Sequence, residues 1–107
     1  MKLLTLSIKF TATPETKDEF KRVITDLFHV ISKESTFVNA TLHEGLEKPE
    51  EFLVYETWNY SMEDFLNIQM KKPETVAFEK TLADLGVTRE PTVYTPFAHF
   101  DAHQINK

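Results

Sequence analysis

The sequence predicts an α+β protein with one antiparallel sheet. Apolar side chains alternate with others over residues 4–10, which indicates a strand with one apolar face. Apolar residues then recur at helical spacing over 20–31. Two further strands, at about 37–44 and 51–59, flank a short turn and form a hairpin. With a second helical region and a last strand, the order is β-α-β-β-α-β, which is the ferredoxin-like arrangement with helices on one face of the sheet.

Local signals place the ends of the first helix and the hairpin. Thr13 and Pro14 predict the helix start, with proline at the first helical position, and the apolar pattern ends near Ser32. His29 falls opposite the apolar stripe, so we expect it to be exposed. The segment GLEKPE, residues 45–50, joins the two hairpin strands.

The second helical region begins with a capping signature. The residues SMED, at 61–64, open a short helix that we expect to reach about Met70. Pro73 breaks or restarts this helix. A further helix continues to Leu85, where Gly86 stops it.

A last strand is predicted over about residues 92–100. Pro91 and Pro96 predict that it is an edge strand or contains a bulge, because proline cannot donate to a neighbouring strand. The chain shows no repeats or linkers, so residues 1–107 are predicted to form a single domain with a loose tail at 101–107.

Composition excludes several classes of function. The net charge of -5 argues against nucleic acid and anionic membranes as partners. There is no cysteine, the four histidines show no metal-ligand spacing, and two glycines cannot build a phosphate-binding loop. We therefore predict no metal and no cofactor, and a cytoplasmic location, since no apolar run could span a membrane. Nine phenylalanines in 107 residues favour burial against a second copy.

The hairpin predicts which side chains share a face. If its turn centres on Glu47 and Lys48, residues whose numbers sum to 95 face each other. One face would then be mixed, and the other nearly all apolar. The mixed face would hold Phe37, Asn39, Thr41, His43, Phe52, Val54, Glu56 and Trp58. The apolar face would hold Val38, Ala40, Leu42, Leu53, Tyr55 and Thr57.

Glu56 is the unexpected residue of the mixed face, because a buried carboxylate needs a partner or a function. A few polar groups among aromatic side chains suit a pocket for a flat, partly polar molecule. Glu56, Asn39 and His43 are the candidate catalytic residues. The alternatives are that Glu56 only hydrogen-bonds Asn39 or a symmetry mate, and that His43 is simply exposed.

The short helix adds Gln69 to the candidates. Met62, Phe65, Leu66 and Gln69 share one helix face, and Gln69 is its polar member. It either reaches into the same pocket or lies at the helix end. The candidate substrate-binding residues are Trp58, Gln69, Phe37, Phe52 and Phe65.

The run NATLHEGLEKPEEFLVYETW, followed by a helix, Pro73 and AFEKTLADL, resembles the antibiotic-biosynthesis monooxygenase domain, including its quinol-monooxygenase-like members. The resemblance covers about residues 3–100, and the strand of the form YExW is its most specific part. It implies a ferredoxin-like fold that dimerises through its sheets into an α+β barrel. It also implies oxidation of a small aromatic or quinol substrate by dioxygen without a cofactor.

In this resemblance Glu56, Trp58 and Asn39 would serve as base, stacking wall and oxyanion donor. The chain departs from the family pattern at Gln69 and Glu74, where family members often carry His or Tyr. A glutamine cannot act as a base, so Glu56 or His43 would have to substitute. The alternatives are a non-catalytic small-molecule-binding or stress-response protein, and an isomerase of a small oxygenated metabolite.

Overall fold

The computed structural model describes residues 2–102 of the chain. Four strands and three helices lie within this range, in the predicted β-α-β-β-α-β order. The strands are β1 (Leu3–Thr11), β2 (Phe37–Glu44), β3 (Glu51–Asn59) and β4 (Thr88–Tyr94). The helices are α1 (Lys17–Ile31), α2 (Met62–Asn67) and α3 (Pro73–Leu85), and a 3-10 turn at Gln69–Lys71 separates α2 from α3.

The sheet is antiparallel throughout, with the strand order β2-β3-β1-β4. The central strands are therefore β1 and β3. Pro91 lies in β4, opposite Ile8 of β1, and β4 is an edge strand as the prolines predicted. The predicted fold class, α+β with ferredoxin-like topology, is confirmed.

One face of the sheet carries the core, and α1 and α3 contribute the opposing apolar side chains. We call it the covered face, and the opposite one the open face. On β1 the covered-face side chains, Leu4, Leu6, Ile8 and Phe10, are at most 8% exposed. Four rings with centroid separations of 5.0 to 6.4 Å form the aromatic centre of this core: Phe10, Phe20, Phe52 and Phe78. Burial of each such ring stabilises the fold by about 2 kcal/mol.

Helix α1 begins three residues later than Pro14, where the sequence predicted its start. The backbone N–H of Thr16 donates to Thr13 Oγ1 at 3.1 Å, and the N–H of Thr13 donates to Thr16 Oγ1 at 3.2 Å. These reciprocal bonds hold residues 13–16 in a separate turn, so the helix starts at Lys17. Helix α3 ends at Leu85 as predicted. Gly86 follows it with a left-handed φ of 70°, which ends the helix.

The last strand was predicted at about 92–100, and this placement is wrong. Strand β4 pairs with β1 from Thr88 opposite Thr11 to Tyr94 opposite Thr5. Because β1 begins at Leu3, only two further residues of β1 could pair beyond Tyr94, so β4 cannot extend to residue 100 in this sheet. Residues 95–102 follow as an arm without regular secondary structure. Of the predicted loose tail, Asp101 and Ala102 are exposed and 103–107 lie outside the described residues.

The hairpin strands have the predicted bounds, but their register contains a bulge. Phe37 lies opposite Trp58 as predicted, whereas Asn39 lies opposite Thr57 and not opposite Glu56. Val38 is the extra residue between them. From Asn39 onward every side chain of β2 is therefore on the face opposite to the predicted one, because side chains alternate along a strand.

None of the helices formed by residues 2–102 is long and apolar enough to cross a membrane.

Candidate functional site

A cavity of about 230 Å³ lies between the covered face of the sheet and the helices. Its walls are mostly apolar and come from β1, β3 and β4 on one side and from α1, α2 and α3 on the other. Met62 and Leu66 of α2 and Val93 of β4 line the cavity and are also 40–48% exposed, which places its entrance between these two elements. A cavity of about 150 Å³ can hold benzene, so this one accommodates one or two small rings.

The polar side chains that line the cavity are few: Glu56, Gln69, Thr75, Glu79 and Arg89. An apolar enclosure with a small number of placed polar groups is the usual form of a small-molecule site.

Glu56 is held in the middle of the sheet. It lies on β3 between Leu6 of β1 and Ala40 of β2, and it is 7% exposed. The indole Nε1–H of Trp58 donates to its Oε1 at 2.7 Å. Burial raises the pKa of the Glu56 carboxyl above its ordinary value, and the bond from Trp58 opposes this only in part. The carboxylate is therefore a stronger base than an exposed glutamate.

Trp58 holds this carboxylate from a ring that is itself closely packed. The side chain is fully buried, and Phe37 packs edge-on against it with a centroid separation of 5.1 Å. Phe65 of α2 packs against the Trp58 ring from the cavity side, with a centroid separation of 6.1 Å. The position of Trp58 two residues after Glu56 on one strand places both side chains on the covered face.

Gln69 lines the cavity from the 3-10 turn and is 3% exposed. The hydroxyl of Tyr60 donates to its Oε1 at 3.2 Å. Its Nε2 is buried and has no hydrogen-bond partner among residues 2–102.

Four of the eight predicted site residues line the cavity: Glu56, Trp58, Phe65 and Gln69. The other four, Phe37, Asn39, His43 and Phe52, do not. Phe37 supports Trp58 from behind, and Phe52 packs against Phe20 in the core at 5.0 Å. Neither of them lines this cavity, and their contact with a substrate stays a prediction.

Asn39 and His43 lie on the open face, so their predicted place beside Glu56 is wrong. The bulge at Val38 turns both away from the helices. The His43 ring is exposed, its Nδ1 is 2.9 Å from the carbonyl oxygen of Leu53, and its edge contacts the Tyr55 ring at 5.5 Å. His43 is therefore exposed, as the alternative interpretation of this residue predicted.

Sequence reasoning missed Tyr60, Glu79 and Arg89. Arg89 of β4 forms an ion pair with Glu79 of α3 beside the cavity, and both side chains are about one third exposed. Tyr60 orients Gln69. The only available signal for Tyr60 was its place immediately after the YExW strand, and nothing near Arg89 marks it in the sequence. Across residues 2–102, no group of three His, Asp or Glu side chains could hold a metal ion.

Fold and site together define an α+β protein of ferredoxin-like topology that buries a carboxyl group in an apolar cavity. Residues 3–69 match the antibiotic biosynthesis monooxygenase family, and the chain belongs to this family. None of the curated proteins compared with the sequence matches it.

Solved structures with the same fold cover nearly the whole chain. A protein from Deinococcus radiodurans superposes with a TM-score of 0.81 at 17% identity, covering 94% of this chain and 99% of that one. SnoaB from Streptomyces nogalater, a cofactor-independent oxygenase, gives 0.78 at 19% identity, covering 92% and 97%. A conserved protein from Methanosarcina mazei gives 0.76 at 22% identity, covering 89% and 93%. At these identities the likeness shows the shared fold alone.

Proposed function

We propose that this protein is a cofactor-independent monooxygenase that oxidises a small aromatic or quinol substrate with dioxygen, and that it works as a homodimer. The observation that carries the proposal is the buried Glu56 carboxyl, with its raised pKa, in a mostly apolar cavity of about 230 Å³. Family membership supports oxygenase chemistry, and SnoaB, a cofactor-independent oxygenase, shares the fold.

The proposed reaction takes all of its electrons from the substrate. Glu56 removes the proton of a phenolic hydroxyl, and the electron-rich phenolate transfers one electron to dioxygen. The resulting superoxide and ring radical combine at a ring carbon that bears hydrogen. The hydroperoxide then loses water and leaves a carbonyl. In sum, a phenol and O₂ give a quinone and H₂O, so that one oxygen atom enters the product and the other leaves in water.

Each part of the cavity has a role in this proposal. The apolar walls exclude water from the anionic substrate, and the Trp58 indole N–H holds the Glu56 carboxylate in one orientation. A base that works near neutral pH needs a pKa closer to neutrality than that of an exposed glutamate, and burial changes the pKa of Glu56 in this direction.

Oxygen consumption tests the proposal directly. The purified protein, treated with a chelator and given no flavin, is expected to accelerate oxygen uptake by small naphthols or quinols above their spontaneous oxidation. Glu56→Gln keeps the size and one acceptor oxygen but cannot take the proton. It is expected to lower the rate by about 10² to 10⁴-fold, the usual contribution of a general base.

Glu51→Gln is the matched control, because it is the same change on the same strand. Glu51 forms ion pairs with Lys9 and Lys48 and does not line the cavity. Full activity in Glu56→Gln, or equal losses in both variants, would show that Glu56 is not the base. A wild-type protein that binds these phenols without consuming oxygen would instead be a binding protein.

The homodimer is proposed from surfaces that the single chain leaves uncovered. On the open face Tyr55 and Tyr94 are 50% and 54% exposed, and on the arm Phe97 and Phe100 are 99% and 89% exposed. Large aromatic side chains in such number usually mark an interaction surface. The sequence predicted that one face of the hairpin is nearly all apolar, and this is wrong, because the bulge places Asn39, Thr41 and His43 there.

A further inference from the structure

Gln69 carries the one buried side-chain nitrogen or oxygen atom that has no hydrogen-bond partner within residues 2–102. Its Oε1 accepts a hydrogen bond from the Tyr60 hydroxyl at 3.2 Å, and its Nε2 is buried without a partner. Both side chains are at least nine-tenths buried.

An unpartnered buried N–H costs free energy in the empty protein. A methionine or leucine would fill the same space between α2 and α3 without that cost, as Met70 does next in the chain. Gln69 lines the cavity, so a molecule bound there can supply a partner for its amide.

We propose that Gln69 recognises the ligand by donating a hydrogen bond from Nε2 to an acceptor oxygen on its ring, and that Tyr60 is the residue that positions this amide. The oxygen is a carbonyl or a phenolate oxygen, as in a quinone or a deprotonated phenol. The inference rests on the proposed function only in taking the ligand to be a small ring compound.

Tyr60 gives the interaction its direction. Its hydroxyl hydrogen occupies Gln69 Oε1, which leaves the NH₂ group as the free end of the amide. With the amide reversed, Nε2 would donate to the hydroxyl and the ligand would meet an acceptor. With Nε2 as the free end of the amide, the cavity is expected to bind ligands that carry an acceptor more tightly. A donor on the ligand is not expected to increase its affinity.

Three bicyclic probes of nearly equal size separate these cases. Tetralin has no polar group, 1-tetralone carries a carbonyl acceptor, and 1,2,3,4-tetrahydroquinoline carries an N–H donor. Titration calorimetry with the full chain is expected to show 1-tetralone binding about tenfold more tightly than tetralin. Tetrahydroquinoline is expected to bind no more tightly than tetralin.

The variants connect this preference to Gln69. Gln69→Met is expected to bind 1-tetralone and tetralin equally, with the affinity for tetralin nearly unchanged. Tyr60→Phe frees the amide and is expected to reduce the preference without abolishing it. The double variant, Tyr60→Phe with Gln69→Met, leaves no polar group of the pair buried, and we expect it to melt no lower than the wild type.

Three results would overturn the inference: no preference for 1-tetralone in the wild type, the same preference in Gln69→Met, or a preference for tetrahydroquinoline. A double variant that melts well below the wild type and still prefers 1-tetralone would show that the pair is purely structural. These outcomes are distinguishable from failure of the proposed function. Oxygen uptake by a wild-type protein that shows no preference for 1-tetralone overturns only the inference, whereas selective 1-tetralone binding without any oxygen uptake overturns only the oxidation.

Discussion

At the scale of single residues, two buried polar side chains of the cavity have few hydrogen bonds. Glu56 is buried with one hydrogen bond, from Trp58, and Gln69 is buried with half of its amide unpartnered. The unpartnered Nε2 departs from the rule that buried polar atoms are hydrogen-bonded, and a buried carboxyl group is itself uncommon. Such departures, next to a cavity of ligand size, are typical of functional sites.

The raised pKa of Glu56 predicts how stability depends on pH. The folded protein keeps the proton of Glu56 at pH values where the unfolded chain, with a pKa near 4.5, has lost it. The native state then binds more protons, so the free energy of unfolding decreases as pH rises from about 4.5 to the raised pKa.

Glu56→Gln has no such proton to lose. The stability of this variant relative to wild type is therefore expected to increase over the same pH window, by at most about 1.4 kcal/mol per pH unit. Urea denaturation of both proteins from pH 4 to pH 8 measures the difference. A difference that is constant over this range would mean that the pKa of Glu56 is the same in the folded and unfolded protein.

At the scale of elements, the bulge in β2 decides which hairpin residues reach the cavity. The pairing from Asn39 to Glu44 is one residue out of step with that of Phe37 and Trp58. Because side chains alternate, Ala40 and Leu42 face the helices and Asn39, Thr41 and His43 face outward. A single inserted residue thus removes two of the three predicted catalytic side chains from the site.

Two deletions on β2 test this interpretation. Without Val38, Phe37 and Asn39 still meet Trp58 and Thr57, so the deletion is expected to preserve the pairing and to cost little stability. Without Thr41, the bulge must close to keep Leu42 opposite Val54 and Phe37 opposite Trp58.

In the Thr41 deletion, Asn39 turns onto the covered face beside Glu56. An imperfectly paired amide there is expected to cost about 1 to 3 kcal/mol. Thermal unfolding should therefore give a lower melting temperature for the Thr41 deletion than for the Val38 deletion. The reverse order would mean that the irregularity in β2 does not hold the register.

At the scale of the whole molecule, the single chain leaves two surfaces without a partner. The open face of the sheet is a mixture of hydroxyl-bearing and aromatic side chains, with Thr5 and Thr57 hydrogen-bonded across it at 2.8 Å. The arm at 95–102 carries Phe97 and Phe100 away from the core. A second copy that covers the open face and receives the arm would bury both, and stable interfaces bury about 1,600 Å² in total.

Sedimentation tests the proposed dimer. The wild-type protein is expected to sediment at twice the chain mass of 12.5 kDa. Replacement of Phe97 and Phe100 by serine in both protomers removes four aromatic anchors worth about 2 kcal/mol each, which raises the dissociation constant about a millionfold. Leu46→Ser is the control, because Leu46 is fully exposed in the hairpin turn. A monomeric wild-type protein, or equal dissociation in both variants, would contradict the proposal.

The sequence by itself determined the features that depend on local periodicity. The alternation over residues 4–10, the helical spacing over 20–31 and the two hairpin runs predicted the fold and the bounds of β2 and β3. Glu56 was also recognisable, because a carboxylate between apolar neighbours on a strand is unusual at any position in a fold.

Only the tertiary structure decided which side chains meet. The bulge at Val38 depends on how β2 pairs with β3, the end of β4 depends on the length of β1, and neither has a local signal. Tyr60 and Gln69 are nine residues apart, and Arg89 joins Glu79 from a different element. Their contacts arise from packing of the helices on the sheet, whereas periodicity records only the face on which each residue of one element lies.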